Sequence, residues 1–388
     1  MKIGISGVFL KYPTSGLGQL LIHLLKALEE VDPGNEYILL GAQSTPWSDV
    51  AGTRFPIQTA PVPAYAARKE NTEQMMWEQF TGPAAARKAR VDLFHIPYYA
   101  PPLIVRCPTV ITIPDVIQLR SPLYRDGVQA KRKLYLDLIA RAARKAALII
   151  TLSQHAKQDI VDTFHISPTR IRVIYPAAGD KLVPVTGAAA LAEVRTRYGV
   201  GERYVLYLGG LDQRKNVLQL VRAFAALYQR SDDPRLQLFI AGDPDKRRGP
   251  LHPDPRPLAA ELGITNQVIY RFVEEEDKAA IYSGASLFVF PSLYEGFGLT
   301  PLEAMGCGTP VICSNSTSLP EVVGDAAISI DPNDTQAWVT AMERVLTDDS
   351  LRADLQARGL LRAAQFTWHK TANETVAAYE EAIAKYRK

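Results

Sequence analysis

The feature that most constrains this fold is a strand–helix alternation that runs, stops and runs again. Short apolar runs rich in Val, Ile and Leu lie at 2–8, 37–40, 92–96, 109–113, 148–151 and 171–175, separated by stretches of helical period. Runs without polar alternation suit strands covered on both faces, so the pattern predicts a parallel sheet between helix layers. Between the first two runs, Leu17, Leu20, Leu21, Leu24, Leu25 and Leu28 form one helical stripe, which makes the opening a βαβ unit. Loop-like residues from Pro176 through Pro184 to Gly187 read as a hinge. The rhythm restarts at 203–208, 235–241, 267–272, 286–290, 310–313 and 326–330, then turns helical from Asn333 to the end. At 388 residues the chain exceeds one typical core, so two doubly wound domains are expected, 1–178 and 179–366. In the last segment Ala372, Val376, Tyr379, Ile383 and Tyr386 share one face. That face predicts that the helix at 367–388 crosses back to the first domain, with Trp368 marking the crossover.

Composition narrows the class. The chain is 47% hydrophobic and 22% charged, lacks any apolar run of transmembrane length and opens without a signal-peptide layout, so a cytoplasmic protein is expected. Cys107, Cys307 and Cys313 suit neither a metal cluster nor a disulfide framework and read as small buried hydrophobes. Residues 1–178 carry 21 Lys and Arg against 14 Asp and Glu, although the whole chain is only +3. The basic half suits an anionic acceptor or membrane surface, or is simply a solvated face; nothing points to nucleic acid. A predicted helix at 126–147 has the same two readings. It sets Lys131, Arg132, Lys133, Arg141, Arg144 and Lys145 beside Val128, Leu134, Leu138 and Ile139, as peripheral contact with the inner face of a membrane would require.

Three segments carry chemistry. Ser15-Gly16-Leu17-Gly18 lies between the first strand and its helix, where glycines permit close backbone approach and a helix N-terminus favours an anion. A plain strand-to-helix turn explains it equally, and a dinucleotide fingerprint is incomplete because position 21 is Leu. In the second domain, Gly209-Gly210-Leu-Asp-Gln-Arg214-Lys215-Asn216 puts glycines and two cations at a helix start, a diphosphate cradle unless the cations are merely solvated. The third, Glu295-Gly-Phe297-Gly298-Leu299-Thr300-Pro-Leu-Glu303, follows a strand; Thr300 and Glu303 fit a capping box with Pro301 at the first helical position. In the plainest reading Glu303 closes that box and Glu295 is a loop carboxylate. The functional reading has both converge at the carboxyl ends of the strands, where open α/β sheets bind ligands.

Glu295 and Glu303, with seven residues between them, resemble the E-x7-E motif of the retaining glycosyltransferases of family 4, which have the GT-B fold; the glycine–Arg–Lys segment resembles that of its mannosyltransferase-like branch. The likeness extends over almost the whole chain. It implies two Rossmann-like domains facing a central cleft, the first binding acceptor and the second binding a GDP- or UDP-sugar as co-substrate, with no cofactor and no metal. By the same resemblance Glu295 approaches the donor sugar, Glu303 the ribose hydroxyls, and Arg214 and Lys215 the diphosphate, assisted by Thr300 and the amides of Gly298 and Leu299. Gly16, Gly18, Gly209, Gly210, Val273 and Phe297 complete the donor side, Asp115 joins the catalytic group, and His95, Tyr98 and Ser153 fall on the acceptor side. The acceptor is a hydroxyl of a sugar, a lipid-linked sugar or a small molecule. A nucleotide-sugar-binding protein without transfer activity and an epimerase on the same fold are the alternatives. Asp243-Pro-Asp245 is a D-x-D, but it sits where such an enzyme approaches the nucleobase, so a metal role is not expected. The chain departs from the family at Pro114-Asp115, where members usually carry His-Asp; losing the imidazole and the N–H favours a donor without a C6 hydroxyl, or loss of transfer.

Overall fold

Both predicted sheets exist, each wholly parallel. The computed structural model describes residues 1–43, 53–63, 70–98, 102–125, 130–246 and 249–386, and the chain separates into two units, Met1–Pro176 with Thr367–Lys388, and Ala177–Phe366.

In the first unit β1 (Lys2–Ser6), β2 (Glu36–Ala42), β3 (Ile57–Ala60), β4 (Leu93–Ile96), β5 (Thr109–Thr112), β6 (Leu148–Thr151) and β7 (Ile171–Val173) are ordered β3-β2-β1-β4-β5-β6-β7. The central strands are buried throughout, as uninterrupted apolar runs require. β3 was not anticipated: it is an edge strand, Ile-Gln-Thr-Ala, with Ile57 43% exposed, so it has no apolar run to detect. Helix α1 (Gly16–Val31) buries Leu20, Leu21, Leu24, Leu25 and Leu28 of the predicted stripe. Helix α2 (Ala130–Lys145) and helix α3 (Gln154–Phe164) follow β5 and β6. On α2, Ile139 is buried while Arg141, Arg144 and Lys145 are exposed. Leu138 is half-buried, and Val128 and the side chains of Lys131, Arg132, Lys133 and Leu134 lie outside the described residues.

In the second unit β8 (Tyr204–Leu208), β9 (Gln237–Ala241), β10 (Val268–Arg271), β11 (Leu287–Phe290), β12 (Val311–Ser314) and β13 (Ile328–Ile330) are ordered β10-β9-β8-β11-β12-β13. Helix α4 (Val217–Arg230) follows β8, α5 (Leu299–Gly306) follows β11, and α6 (Leu319–Val323) follows β12. From β8 the chain crosses to β9 on one side, and from β11 to β12 on the other. The loops leaving β8 and β11 therefore diverge between adjacent strands, the crevice where doubly wound sheets accept ligands. Cys307 and Cys313 are buried as expected, whereas Cys107 is only half-buried because it lies in the approach to β5.

The last helix, α7 (Trp368–Tyr386), belongs to the first unit. Trp368 stacks on His23 at 5.0 Å, Thr371 donates to the Tyr175 carbonyl at 2.6 Å, and Arg172 donates to both oxygens of Glu381 at 2.9 and 2.5 Å. Ala372, Tyr379 and Ile383 are buried, but Val376 is half-buried and Tyr386 is 56% exposed. Small residues the sequence pattern did not single out, Thr375, Ala378 and Ala382, complete the packed face because they let the helix approach closely. At its centre the Tyr379 hydroxyl lies 2.7 Å from His95 Nδ1, and His95 Nε2 lies 2.9 Å from Thr112 Oγ1. Burial drives the imidazole down to about 3, so His95 is neutral, and a neutral ring matches one donor and one acceptor neighbour. Removing one hydroxyl leaves a buried nitrogen without its partner. Tyr379→Phe is therefore expected to destabilise the protein by about 1–3 kcal/mol, read as a lower thermal midpoint; an unchanged midpoint would mean the bond contributes nothing.

Candidate functional site

The loops that diverge after β8 and β11 are stitched together by main-chain and side-chain bonds. After β8, Gly209 takes φ +152°, and the Tyr207 hydroxyl donates to the Gly210 carbonyl at 2.5 Å. The segment Gln213–Lys215 is a single tight turn, and Asn216, at φ +56°, begins α4. Arg214 and Lys215 thus precede the helix and are not in its first turn. The Leu293 N–H donates to the Arg214 carbonyl at 2.8 Å, and Arg214 Nη1 donates to the Tyr294 carbonyl at 2.9 Å. Between them sits Glu295, 8% exposed. Its Oε1 is 2.7 Å from Lys215 Nζ, its Oε2 is 2.8 Å from Arg214 Nη1, and the Ser292 hydroxyl donates to Oε1 at 2.5 Å. Arg214 also reaches Asp212 at 3.2 Å, and the Lys215 ammonium stands 4.7 Å above the Phe290 ring.

Glu303 occupies a different environment. No side chain caps α5, so the expected capping box does not form: the helix begins at Leu299 behind Gly298, which puts Pro301 third and Glu303 fifth, too far along to reach back. Proline is tolerated there because the first helical N–H groups have no intrahelical acceptor. Glu303 instead accepts from the Tyr282 hydroxyl at 2.9 Å and remains partly exposed. Gly298 has φ +118°, and a Cβ there would lie 2.6 Å from Leu319, so the entry to α5 admits only glycine. Leu299 and Thr300 are partly exposed, and Phe297 is buried against Phe366 at 5.9 Å. Val273, just beyond β10, is buried. The D-x-D segment is engaged internally: Asp245 pairs with Arg256 at 2.9 Å, and Asp243 accepts the Asp245 N–H at 2.8 Å. Among the described residues no group of three or more His, Cys, Asp or Glu is arranged to hold a metal ion.

In the first unit Ser15 caps α1 by accepting from the Gly18 N–H at 3.1 Å. A Cβ at Gly18 would stand 2.1 Å from the Tyr12 carbonyl, whereas one at Gly16 would meet nothing within 4 Å. Gly18 serves close packing, and Gly16 leaves space above the helix end. Asp115 Oδ1 accepts the Ile117 N–H at 3.1 Å. The three residues expected on the acceptor side are enclosed. His95 has no exposed surface and both ring nitrogens are engaged; Tyr98 is 2% exposed and packs 5.0 Å from the Phe9 ring; Ser153, 0% exposed, caps α3 by accepting from Ala156 N–H at 2.9 Å. Through these contacts their side chains hold the sheet, α7 and α3 in place.

Comparison with known proteins agrees with this architecture. Residues 14–178 match the model described as Glycosyltransferase Family 4, and residues 194–362 the model described as Glycosyl transferases group 1. O-antigen chain mannosyltransferase B of Escherichia coli is 31% identical across 98% of this chain and 100% of its own length. The chain belongs to glycosyltransferase family 4. Its relatives do not favour the alternatives of a transfer-inactive binding protein or an epimerase. Two solved structures share the GT-B fold of this glycosyltransferase. Sucrose-phosphate synthase from Thermosynechococcus elongatus has a TM-score of 0.75 at 23% identity, covering 99% of both chains. Anabaena HepE, solved with UDP and glucose, has 0.74 at 18%, covering 98% of this chain and 99% of its own.

The two glutamates of this family 4 enzyme are driven apart electrostatically. Burial alone pushes the Glu295 carboxyl up, but the charges of Lys215 and Arg214, with hydrogen bonds from Lys215 and Ser292, outweigh it and hold the group below its ordinary range. Burial pushes Glu303 up, repulsion from Glu275 adds to it, and Lys278 and Tyr282 only partly oppose it. Ser292 was not anticipated; its sole sequence signal is a hydroxyl immediately after a buried strand and Pro291. Because Glu295 lies below its usual 4.5 when folded, its contribution is complete above that pH and is lost as pH falls through the lowered value. Glu295→Gln should lower stability at pH 7 by up to about 3 kcal/mol, and the gap to wild type should narrow below pH 4.5 in thermal unfolding. A gap constant with pH would show that no ionised carboxylate is involved.

Proposed function

We propose that this glycosyltransferase moves a hexose, foremost mannose, from a GDP- or UDP-sugar to a sugar hydroxyl in polysaccharide or glycolipid synthesis, with retention of anomeric configuration. The second unit binds the donor and the first the acceptor. The reading is carried by one observation: two cations held against a buried carboxylate where the loops after β8 and β11 diverge. Departure of a nucleoside diphosphate loads negative charge onto the leaving oxygen, and Arg214 and Lys215, already desolvated, need little reorganisation to receive it. Glu295 keeps both cations in place and presents its carboxylate edge to the sugar hydroxyls. Glu303 takes the ribose hydroxyls, and Gly209, Gly210, the amides of Gly298 and Leu299, and Thr300 take the phosphates. The mannosyltransferase name of the E. coli relative and the UDP held by HepE support sugar and donor class respectively.

Leaving-group charge comes from Arg214 and Lys215 here, so the reaction is proposed to be metal-independent, with an initial rate insensitive to EDTA. A thermal-shift and slow-hydrolysis panel of GDP-mannose, GDP-rhamnose, UDP-glucose and UDP-galactose identifies base and sugar together. It also tests Pro114, because only GDP-rhamnose lacks the C6 hydroxyl. Glu295→Ala is expected to abolish transfer and Glu303→Ala to weaken nucleotide binding by about tenfold, the loss of one hydrogen bond to a charged group. Wild-type rates and affinities in both variants would remove this assignment. A second reading, peripheral attachment to anionic membrane, is favoured by the exposed Arg141, Arg144 and Lys145 on α2. It predicts sedimentation with phosphatidylglycerol vesicles and not with neutral ones at low salt, and equal recovery with both would dismiss it.

A further inference from the structure

Four described non-glycine residues have positive φ: Arg90, His165, Asn216 and Thr317. The first three sit at helix ends, where a left-handed residue commonly closes or opens the helix. Thr317 is the only β-branched one, at φ +52°, in the turn between β12 and α6. Branching at Cβ crowds the neighbouring carbonyl in this region, so such a residue persists only where its surroundings hold it there, and such residues concentrate at functional sites.

The surroundings name the reason. Thr317 Oγ1 accepts the N–H of Glu295 at 2.9 Å. The next residue, Ser318, is fully buried, and its hydroxyl lies 3.0 Å from the Glu295 carbonyl and 2.6 Å from the Phe297 carbonyl. One turn therefore grips the main chain of the Glu295 loop on both sides of the residue that bears the carboxylate. On its other flank the loop is held by Ser292, Arg214 and Lys215. If the Glu295 peptide rotates, both carboxylate oxygens leave their cations together.

We propose that Thr317 is a positioning residue for the transfer reaction: its hydroxyl fixes the Glu295 peptide, and the left-handed backbone is retained because only that conformation delivers the hydroxyl there. This rests on the catalytic reading of Glu295. Glycine takes this φ without strain but lacks the hydroxyl, and serine supplies the hydroxyl without the branch, so the two variants separate the bond to Glu295 from the backbone conformation.

The test compares Thr317→Gly, Thr317→Ser, Thr317→Val and Glu295→Ala in the full chain. Rates are initial rates of nucleoside diphosphate release from GDP-mannose with an oligomannoside acceptor, or from the donor the panel identifies. Thr317→Ser is expected within about threefold of wild-type kcat. Thr317→Gly and Thr317→Val should lose about tenfold or more in kcat with donor KM within about threefold, as displacement of a catalytic group by a fraction of an ångström does. Thr317→Gly should nonetheless unfold close to the wild-type Tm, because relief of the left-handed threonine offsets the lost hydrogen bond, whereas a merely structural role would lower Tm together with kcat. Wild-type kcat in Thr317→Gly overturns the proposal, and so does a kcat loss matched by a lower Tm in that variant or an equal loss in Thr317→Ser. Glu295→Ala separates the two failures: if it too turns over at the wild-type rate, the reading of Glu295 has failed, whereas inactivity there beside full activity of Thr317→Gly overturns the positioning role alone.

Discussion

A carboxylate with almost no exposed surface is unstable as an anion unless its desolvation is offset, and here the offset comes from another loop. Glu295 lies between Arg214 and Lys215 with Ser292 donating beneath it, so an ion cluster joins the segment after β8 to the segment after β11. Removing one member would strand a charge in a poorly solvated place, which makes the cluster mutually dependent. The rest of the site inherits its geometry. The Leu293 and Arg214 main chains are bonded across the same gap, and the Phe290 ring under Lys215 keeps water from one side of the ammonium. An arrangement this preorganised suits a reaction whose demand is charge stabilisation on a departing diphosphate.

Two glutamates separated by seven residues acquire opposite tendencies from their surroundings. Two cations hold the Glu295 carboxyl below its ordinary range, while burial pushes that of Glu303 on α5 up, partly opposed by Lys278 and the Tyr282 phenol. One strand–loop–helix unit thus gives its two carboxylates different surroundings. Glycine makes the unit possible, because the chain enters α5 at Gly298 with φ +118°, a conformation that side chains rarely adopt.

The first unit shows polar residues acting structurally. His95, Tyr98 and Ser153 lie near strand ends, where chemistry is expected in such sheets, yet each is enclosed: the imidazole between Thr112 and Tyr379, the phenol ring against Phe9, the hydroxyl on the first turn of α3. Neutral His95 ties β5 to α7 through one ring, a use of histidine that depends on burial keeping it uncharged. The final helix is thereby bound to the unit that its distance along the chain would not suggest.

The sequence by itself determined the two parallel sheets, because uninterrupted apolar strands alternating with amphipathic helices bury both faces in only this kind of layer. It also determined that cations and carboxylates would gather at strand ends, since glycines and charges follow the strands directly at Gly209–Lys215 and Glu295–Glu303. Edge strand β3 escaped notice because a half-exposed strand of four residues carries no period. The capping box at Thr300 was a local pattern that does not form, because α5 already begins at Leu299 behind Gly298. Only the tertiary structure decided which carboxylate meets the cations, that His95, Tyr98 and Ser153 are enclosed, and that a threonine more than twenty residues away holds the Glu295 peptide. Those outcomes depend on distances between segments remote in sequence, and on the desolvation that packing imposes, neither of which a residue's neighbours along the chain can express.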